Sequence, residues 1–128
     1  MPAENRPNIL WYCTDQQRYD TIHALGNLHI HTPVLDEFCK NGVAFTRAYC
    51  QSPICTPSRV TFMTGRYPAT HHMHRNGNDY FPSHEILVTK LISESGYDCG
   101  LVGKLHLAGS KGEVEPRTDD GYRFFACW

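Results

Sequence analysis

Cys55 to Arg66, CTPSRVTFMTGR, is the stretch on which the reading of this chain turns. Thr56 is a residue type that accepts from free helix amides and Pro57 pre-sets a helical φ. Thr56 to Thr64 is therefore predicted as a short helix stopped by Gly65. Cys55 then stands just ahead of a helix N-terminus, where unpaired backbone amides and the positive end of the helix dipole favour an anionic ligand or a thiolate. Arg59 falls in the first turn and Arg66 at the far end, and a guanidinium offers a planar, two-pronged donor suited to a tetrahedral oxyanion. On these residues alone two readings stay open: a thiol that faces an anion, or a small apolar cysteine packed in a capped helix.

Outward from this run the chain alternates between strand and helix patterns. Asn8 to Cys13 (NILWYC) is a compact apolar run that reads as a buried strand and delivers Asp15 at its carboxyl end, the edge at which open parallel sheets bind ligands. Asp15 reads equally as a turn residue. Thr32 and Pro33 open a helix to about Lys40, with Val34, Leu35 and Phe38 on its apolar face and Asn41 and Gly42 as its stop. Val43 to Tyr49 reads as a second strand. A longer helix is expected from about His84 to Ser95, burying Leu87, Leu91 and Ile92, followed by a strand at Tyr97 to Val102 and a polar tail from Ala108 to Gly121. Lys104 and His106 follow that strand at alternate positions, which in an extended segment share one side. They read as ordinary surface residues or as a pair converging on one ligand. The order of elements argues for an α/β fold with a mainly parallel sheet flanked by helices.

Composition narrows the class without choosing a function. With 128 residues, 41% of them hydrophobic and 20% charged, the chain can bury one sizeable core. A net charge of −1 and a pI near 6.7 argue against broad nucleic-acid binding. No apolar stretch approaches the roughly 20 residues needed to span a membrane. Met1 to Pro7 holds no apolar leader core, so a cytoplasmic location is the expectation. The six cysteines form no CxxC pair and are expected as reduced thiols. His29, His31, His71, His72 and His74 lack regular zinc spacing and read as solvated loop residues, with His72 or His74 near a substrate entrance.

CTPSR with its TGR ending resembles the signature of the formylglycine-dependent sulfatases of the alkaline phosphatase superfamily, whose pattern is Cys, any residue, Pro, Ser, Arg. The resemblance implies an alkaline-phosphatase-like sandwich, incomplete in this chain, with residues 1–128 forming the N-terminal part of a catalytic domain and residues 1–7 and 109–128 as flexible ends. It implies that a formylglycine-generating maturation enzyme oxidises Cys55, and that the hydrate of the resulting aldehyde is the nucleophile. One hydroxyl attacks sulfur and displaces the alcohol; the other then expels sulfate and restores the aldehyde. Arg59 is implied to orient that hydrate, Lys104 to bind a sulfate oxygen, and His106 to contact the substrate or assist proton transfer. Gly103 to Leu107 resembles the family element GKWHL, with Leu105 in place of tryptophan.

A divalent cation, Ca2+ ahead of Mg2+, is implied at Asp15, Gln16 and the modified Cys55. Many members carry two aspartates where this chain has Asp15 and then Gln16, which offers a carbonyl oxygen without charge. Members also bring a further Asp followed by Asn or His, and another Lys and His, from a later region with no counterpart here. The implied substrate is a small-molecule sulfate ester. A phosphonate or phosphate monoester hydrolase and a noncatalytic α/β binding module are the alternatives.

Overall fold

Pro33 opens the regular helix of the first of two compact units, Met1–Tyr49 and Cys50–Trp128, in a computed structural model that describes residues 6–109, 117 and 119–126. This helix, α1 (Pro33–Asn41), starts where Pro33 needs no hydrogen-bond partner and ends at Gly42, whose N–H donates to the Phe38 carbonyl at 2.9 Å. Two short 3-10 turns precede it, Tyr19–Thr21 and His23–Leu25. They are tied to α1 by the His23 N–H donating to Thr32 Oγ1 and the Ala24 N–H donating to Asp36 Oδ1, each at 2.9 Å. Partial burial pushes the Asp36 carboxyl up. The Ala24 amide and the Thr32 hydroxyl outweigh that, and the net shift is downward.

The first unit departs from expectation in its strands. Neither Asn8 to Cys13 nor Val43 to Tyr49 is extended into a ladder, and Leu10, Tyr12, Val43, Phe45 and Tyr49 stand exposed. An apolar run becomes a strand only when a neighbour takes its amides and carbonyls. Among the described residues these two runs join no ladder.

The second unit holds the core. Helix α2 (Cys55–Thr64) ends at Gly65, whose φ of 68° lies in the left-handed region that glycine adopts without cost, and whose N–H returns to the Thr61 carbonyl at 2.8 Å. A single turn, α3 (Pro68–His71), and a short helix, α4 (Val88–Glu94), follow. Strand β1 (Cys99–Val102) pairs in parallel with β2 (Tyr122–Ala126), with a bulge between Cys99 and Gly100. Val60, Met63, Met73, Leu87, Leu105, Leu107 and Ala108 form the buried centre, with Phe62, Phe81, Val88, Leu101, Tyr122 and Phe125 packed around it. Fully burying a side chain of the Val, Leu or Met class contributes about 1.5–3 kcal/mol. The buried centre thus joins α2, Met73, Leu87 and the segment after β1.

Helix α4 begins four residues later than expected because Arg117 takes the carbonyls a longer helix would need. Its guanidinium donates to the Pro82, Ser83 and Glu85 carbonyls at 3.1, 3.0 and 2.6 Å, pairs with buried Asp120 at 2.6 Å, and lies 4.8 Å from the centre of the Phe81 ring. Within the stretch expected as a flexible end, Tyr122–Ala126 forms strand β2 against β1. The rest of that expectation falls partly on residues 1–5, 110–116, 118 and 127–128, outside the described residues. Among the described residues, no helix is long and apolar enough to cross a membrane.

Candidate active site

Helix α2 carries Cys55 as its first residue, half-buried, with Ile54 at the N-cap. Ile54 has no acceptor to offer. Thr56, expected as the cap, is instead fully buried inside the helix. The capping bond comes from 20 residues downstream, where Asn76 Oδ1 accepts the Thr56 N–H at 2.9 Å. Pro57 has no N–H, and the Ser58 N–H donates to the Ile54 carbonyl at 3.1 Å. The row of unpaired amides expected at this end is therefore largely spoken for, and recognition of an anion falls to side chains.

Lys104 supplies one. Its Nζ lies 3.6 Å from Cys55 Sγ, across 49 positions of sequence. Arg59, 8% exposed, donates from Nη1 to the Lys104 carbonyl at 2.6 Å and so anchors the loop that carries the ammonium. Cys55, Arg59 and Lys104 are thus brought together. His106 lies two residues beyond Lys104, buried at 6% exposure. Lys104 and His106 lie just past β1, after the Gly103 N–H closes the sheet on the Ala126 carbonyl at 2.7 Å. Gly103 has φ 114° and His106 has φ 52°. A histidine in the left-handed region costs on the order of 1–3 kcal/mol and persists where surrounding structure imposes it.

Arg66 is taken up by a carboxylate of the chain itself. Its Nη1 donates to both carboxylate oxygens of Glu85, at 3.0 and 3.2 Å, and Glu85 is 1% exposed. His71, expected as a solvated loop residue, is fully buried. The Met73 N–H donates to its Nδ1 at 3.1 Å, so Nε2 carries the proton and donates to Thr61 Oγ1 at 3.1 Å; the Thr61 hydroxyl in turn donates to the Pro57 carbonyl at 2.8 Å. His72 and His74 are exposed, their rings 6.1 Å apart edge to face. Asn76, His71 and Arg117 were not legible as site or scaffold residues; Asn76 in particular sits in a polar Asn-Gly-Asn segment that gives no sign of which asparagine would reach a helix.

Asp15 and Gln16 belong to the first unit and are exposed, Gln16 with φ 60° in the left-handed region. As donors they fit a hard divalent cation in kind, one carboxylate and one amide oxygen, and supply a single negative charge. Among the described residues no three His, Cys, Asp or Glu side chains cluster as a metal centre. Cys13, Cys39, Cys50, Cys55 and Cys99 are not in disulfides.

A family model for sulfatases matches residues 7–126. An ulvan-active sulfatase of Formosa agariphila is 38% identical over 106 residues, which are 83% of this chain and 20% of that protein. The human steryl-sulfatase is 39% identical over 118 residues, covering 84% of this chain and 20% of the enzyme. Among solved structures, a phosphonate monoester hydrolase of Agrobacterium radiobacter superimposes with a TM-score of 0.80 at 27% identity, over 95% of this chain and 26% of that one. A putative sulfatase from Bacteroides fragilis gives 0.69 at 30% identity, over 74% and 22%. The α/β architecture with a parallel sheet is that of these alkaline-phosphatase-like folds, present here in part. The chain spans about a fifth of the length of the curated relatives it matches, the 20% covered in each. With its CTPSR run at the head of α2 and a family match across nearly its whole length, the chain belongs to the sulfatase family.

Proposed function

We propose that the full-length protein hydrolyses sulfate monoesters, using the side chain of Cys55, oxidised to formylglycine by a maturation enzyme, as its nucleophile. The observation that carries this reading is the approach of Lys104 Nζ to 3.6 Å from Cys55 Sγ. Transfer of a sulfuryl group to position 55 puts negative charge on oxygens beside the reacting atom. An ammonium at this distance, with both side chains half-buried, is less screened than in water and offsets that charge. Arg59 keeps the Lys104 loop in place through its 2.6 Å bond to the loop carbonyl, so the charge is positioned before substrate arrives. His106 would contact the sulfate or pass a proton to the leaving alcohol oxygen. Asp15 and Gln16 are the first unit's candidates to hold a divalent cation, calcium ahead of magnesium, which when bound would supply Lewis acidity and offset sulfate charge.

The direct test is sulfate release from an aryl sulfate by the full-length protein with residue 55 fully oxidised; no release would sink the reading. Cys55→Ser sharpens it. Serine has one hydroxyl where the hydrate has two, so the variant is expected to keep a sulfo group after a single turnover, visible by intact mass. A phosphonate or phosphate monoester hydrolase is the second reading, supported by the fold shared with the Agrobacterium enzyme and by Asp15 standing without a second aspartate. Comparing kcat/KM on sulfate and phosphonate esters decides between them. A noncatalytic role predicts an unmodified thiol at Cys55 in protein from its natural host.

A further inference from the structure

The first turn of α2 does not hold its own N-terminus. Ile54 cannot cap, Pro57 has no amide, and the Ser58 amide is taken by the Ile54 carbonyl. The Thr56 amide, adjacent to Cys55, is met by Asn76 Oδ1 at 2.9 Å. We propose that Asn76 is a positioning residue for the nucleophile: by accepting the Thr56 N–H it fixes the Cys55–Thr56 peptide, and with it the direction in which the residue 55 side chain leaves the helix.

A side chain can do this only from a firm base, and the segment that carries Asn76 has one. At its start, buried His71 is bonded on both ring nitrogens, to the Met73 amide and to Thr61 Oγ1, and the Thr61 hydroxyl reaches the Pro57 carbonyl in the same first turn. Met73 is 3% exposed in the core. Beyond Asn76, the Asn78 side chain donates to the Arg75 carbonyl, and the Asn78 carbonyl accepts the Gly109 N–H at 2.7 Å. The segment from 71 to 78 therefore grips the head of α2 at Thr56 and, through Thr61, at Pro57. Asn76 is itself exposed, so its side chain is not needed to fill the interior. With Asn76 on Thr56, Lys104 3.6 Å from the sulfur and Arg59 behind Lys104, residue 55 is approached from two sides by groups that set its geometry.

The assignment rests on Cys55 being the precursor of the nucleophile, and the test separates the two. In the full-length protein, hydrogen exchange resolved to Thr56 is compared between the parent, Asn76→Ala and Asn76→Asp, alongside kcat and KM for an aryl sulfate. Asn76→Ala is expected to speed Thr56 exchange at least about tenfold with Val60 and Met63 unchanged, since the loss is one local cap. It is expected to lower kcat by roughly ten- to a hundredfold with KM within about twofold, as loss of alignment does. Asn76→Asp keeps the acceptor and is expected to restore the protection and most of kcat, the added charge showing in KM. Unchanged Thr56 exchange in Asn76→Ala overturns the proposal. So does faster exchange with unchanged kcat, or exchange that rises equally at Val60 and Met63. If the parent releases no sulfate, the proposed function fails, and the Thr56 exchange still decides whether Asn76 holds the helix.

Discussion

Glu85 takes a carboxylate into the interior of the second unit, and Arg66 meets both of its oxygens. Breaking a buried pair by removing one partner leaves an uncompensated charge, so Arg66→Ala is expected to cost about 2–3 kcal/mol, less than for a fully buried pair because Arg66 is half exposed. Thermal unfolding of the full-length protein measures this. His71 gives a pH dependence. Burial holds its imidazole below the usual range; Glu85 pulls it back up, and His74, Arg66 and His72 push it further down. The folded protein thus binds fewer protons here than the unfolded chain. The stability His71 contributes is complete above the unfolded-state pKa of about 6.5 and is lost as pH falls through the lower folded-state value. Melting temperature should decline on acidification below about pH 6.5, and His71→Gln should flatten that decline. Cys55, Arg59 and Lys104 could be named as candidates because two spaced motifs, CTPSR and GKLHL, carry them. The partners of Arg66 and His71 were not, since a local pattern does not say which distant carboxylate or hydroxyl a side chain will find.

Helices α1 and α2 came close to the boundaries their sequences indicate, because Pro33, Gly42, Pro57 and Gly65 act through bonds a few residues away. Strands depend on distant partners. The run Tyr97 to Val102 finds one in Tyr122–Ala126 and becomes β1 from Cys99 onward, whereas the more apolar Asn8 to Cys13 joins no ladder among the described residues. Entry into β2 depends on Gly121, with φ 86°, where an added Cβ would stand 2.5 Å from the Thr89 carbonyl oxygen and 2.6 Å from Lys90 Cα. Thr89 Oγ1 also donates to the Asp120 carbonyl at 2.7 Å, so α4 and the start of β2 are in direct contact. Gly121→Ala must push β2 off α4 and is expected to destabilise by roughly 2–3 kcal/mol, read as a lower denaturant midpoint at unchanged slope. Arg117→Lys keeps the charge and loses the fork that joins three carbonyls to Asp120; faster hydrogen exchange confined to Pro82–Leu87 and Asp120–Tyr122 is the expected result.

At the scale of the whole molecule, the two units differ in what they have enclosed. The second has a buried centre, an ion-paired loop and a parallel strand pair. Among the described residues the first has a helix, two 3-10 turns and none of the fully buried side chains. The α/β class of the chain was legible from the alternation of patterns; how much of the sheet forms within these residues was not, because ladder partners are set by the whole fold. Ile9, Leu10, Trp11 and Tyr12 are exposed at 65, 89, 53 and 80% in one unbroken row. Soluble monomers seldom display so continuous an apolar strip, and an exposed strip rich in β-forming residues outside any ladder is a template for self-association. A stretch of polypeptide corresponding to residues 1–128, released by proteolysis or made by itself, should therefore scatter light and sediment at concentrations where the full-length protein stays clear. The row that best resembled a core strand thus becomes a solubility liability, and any handling of this portion in isolation has to contend with its stickiness before its chemistry.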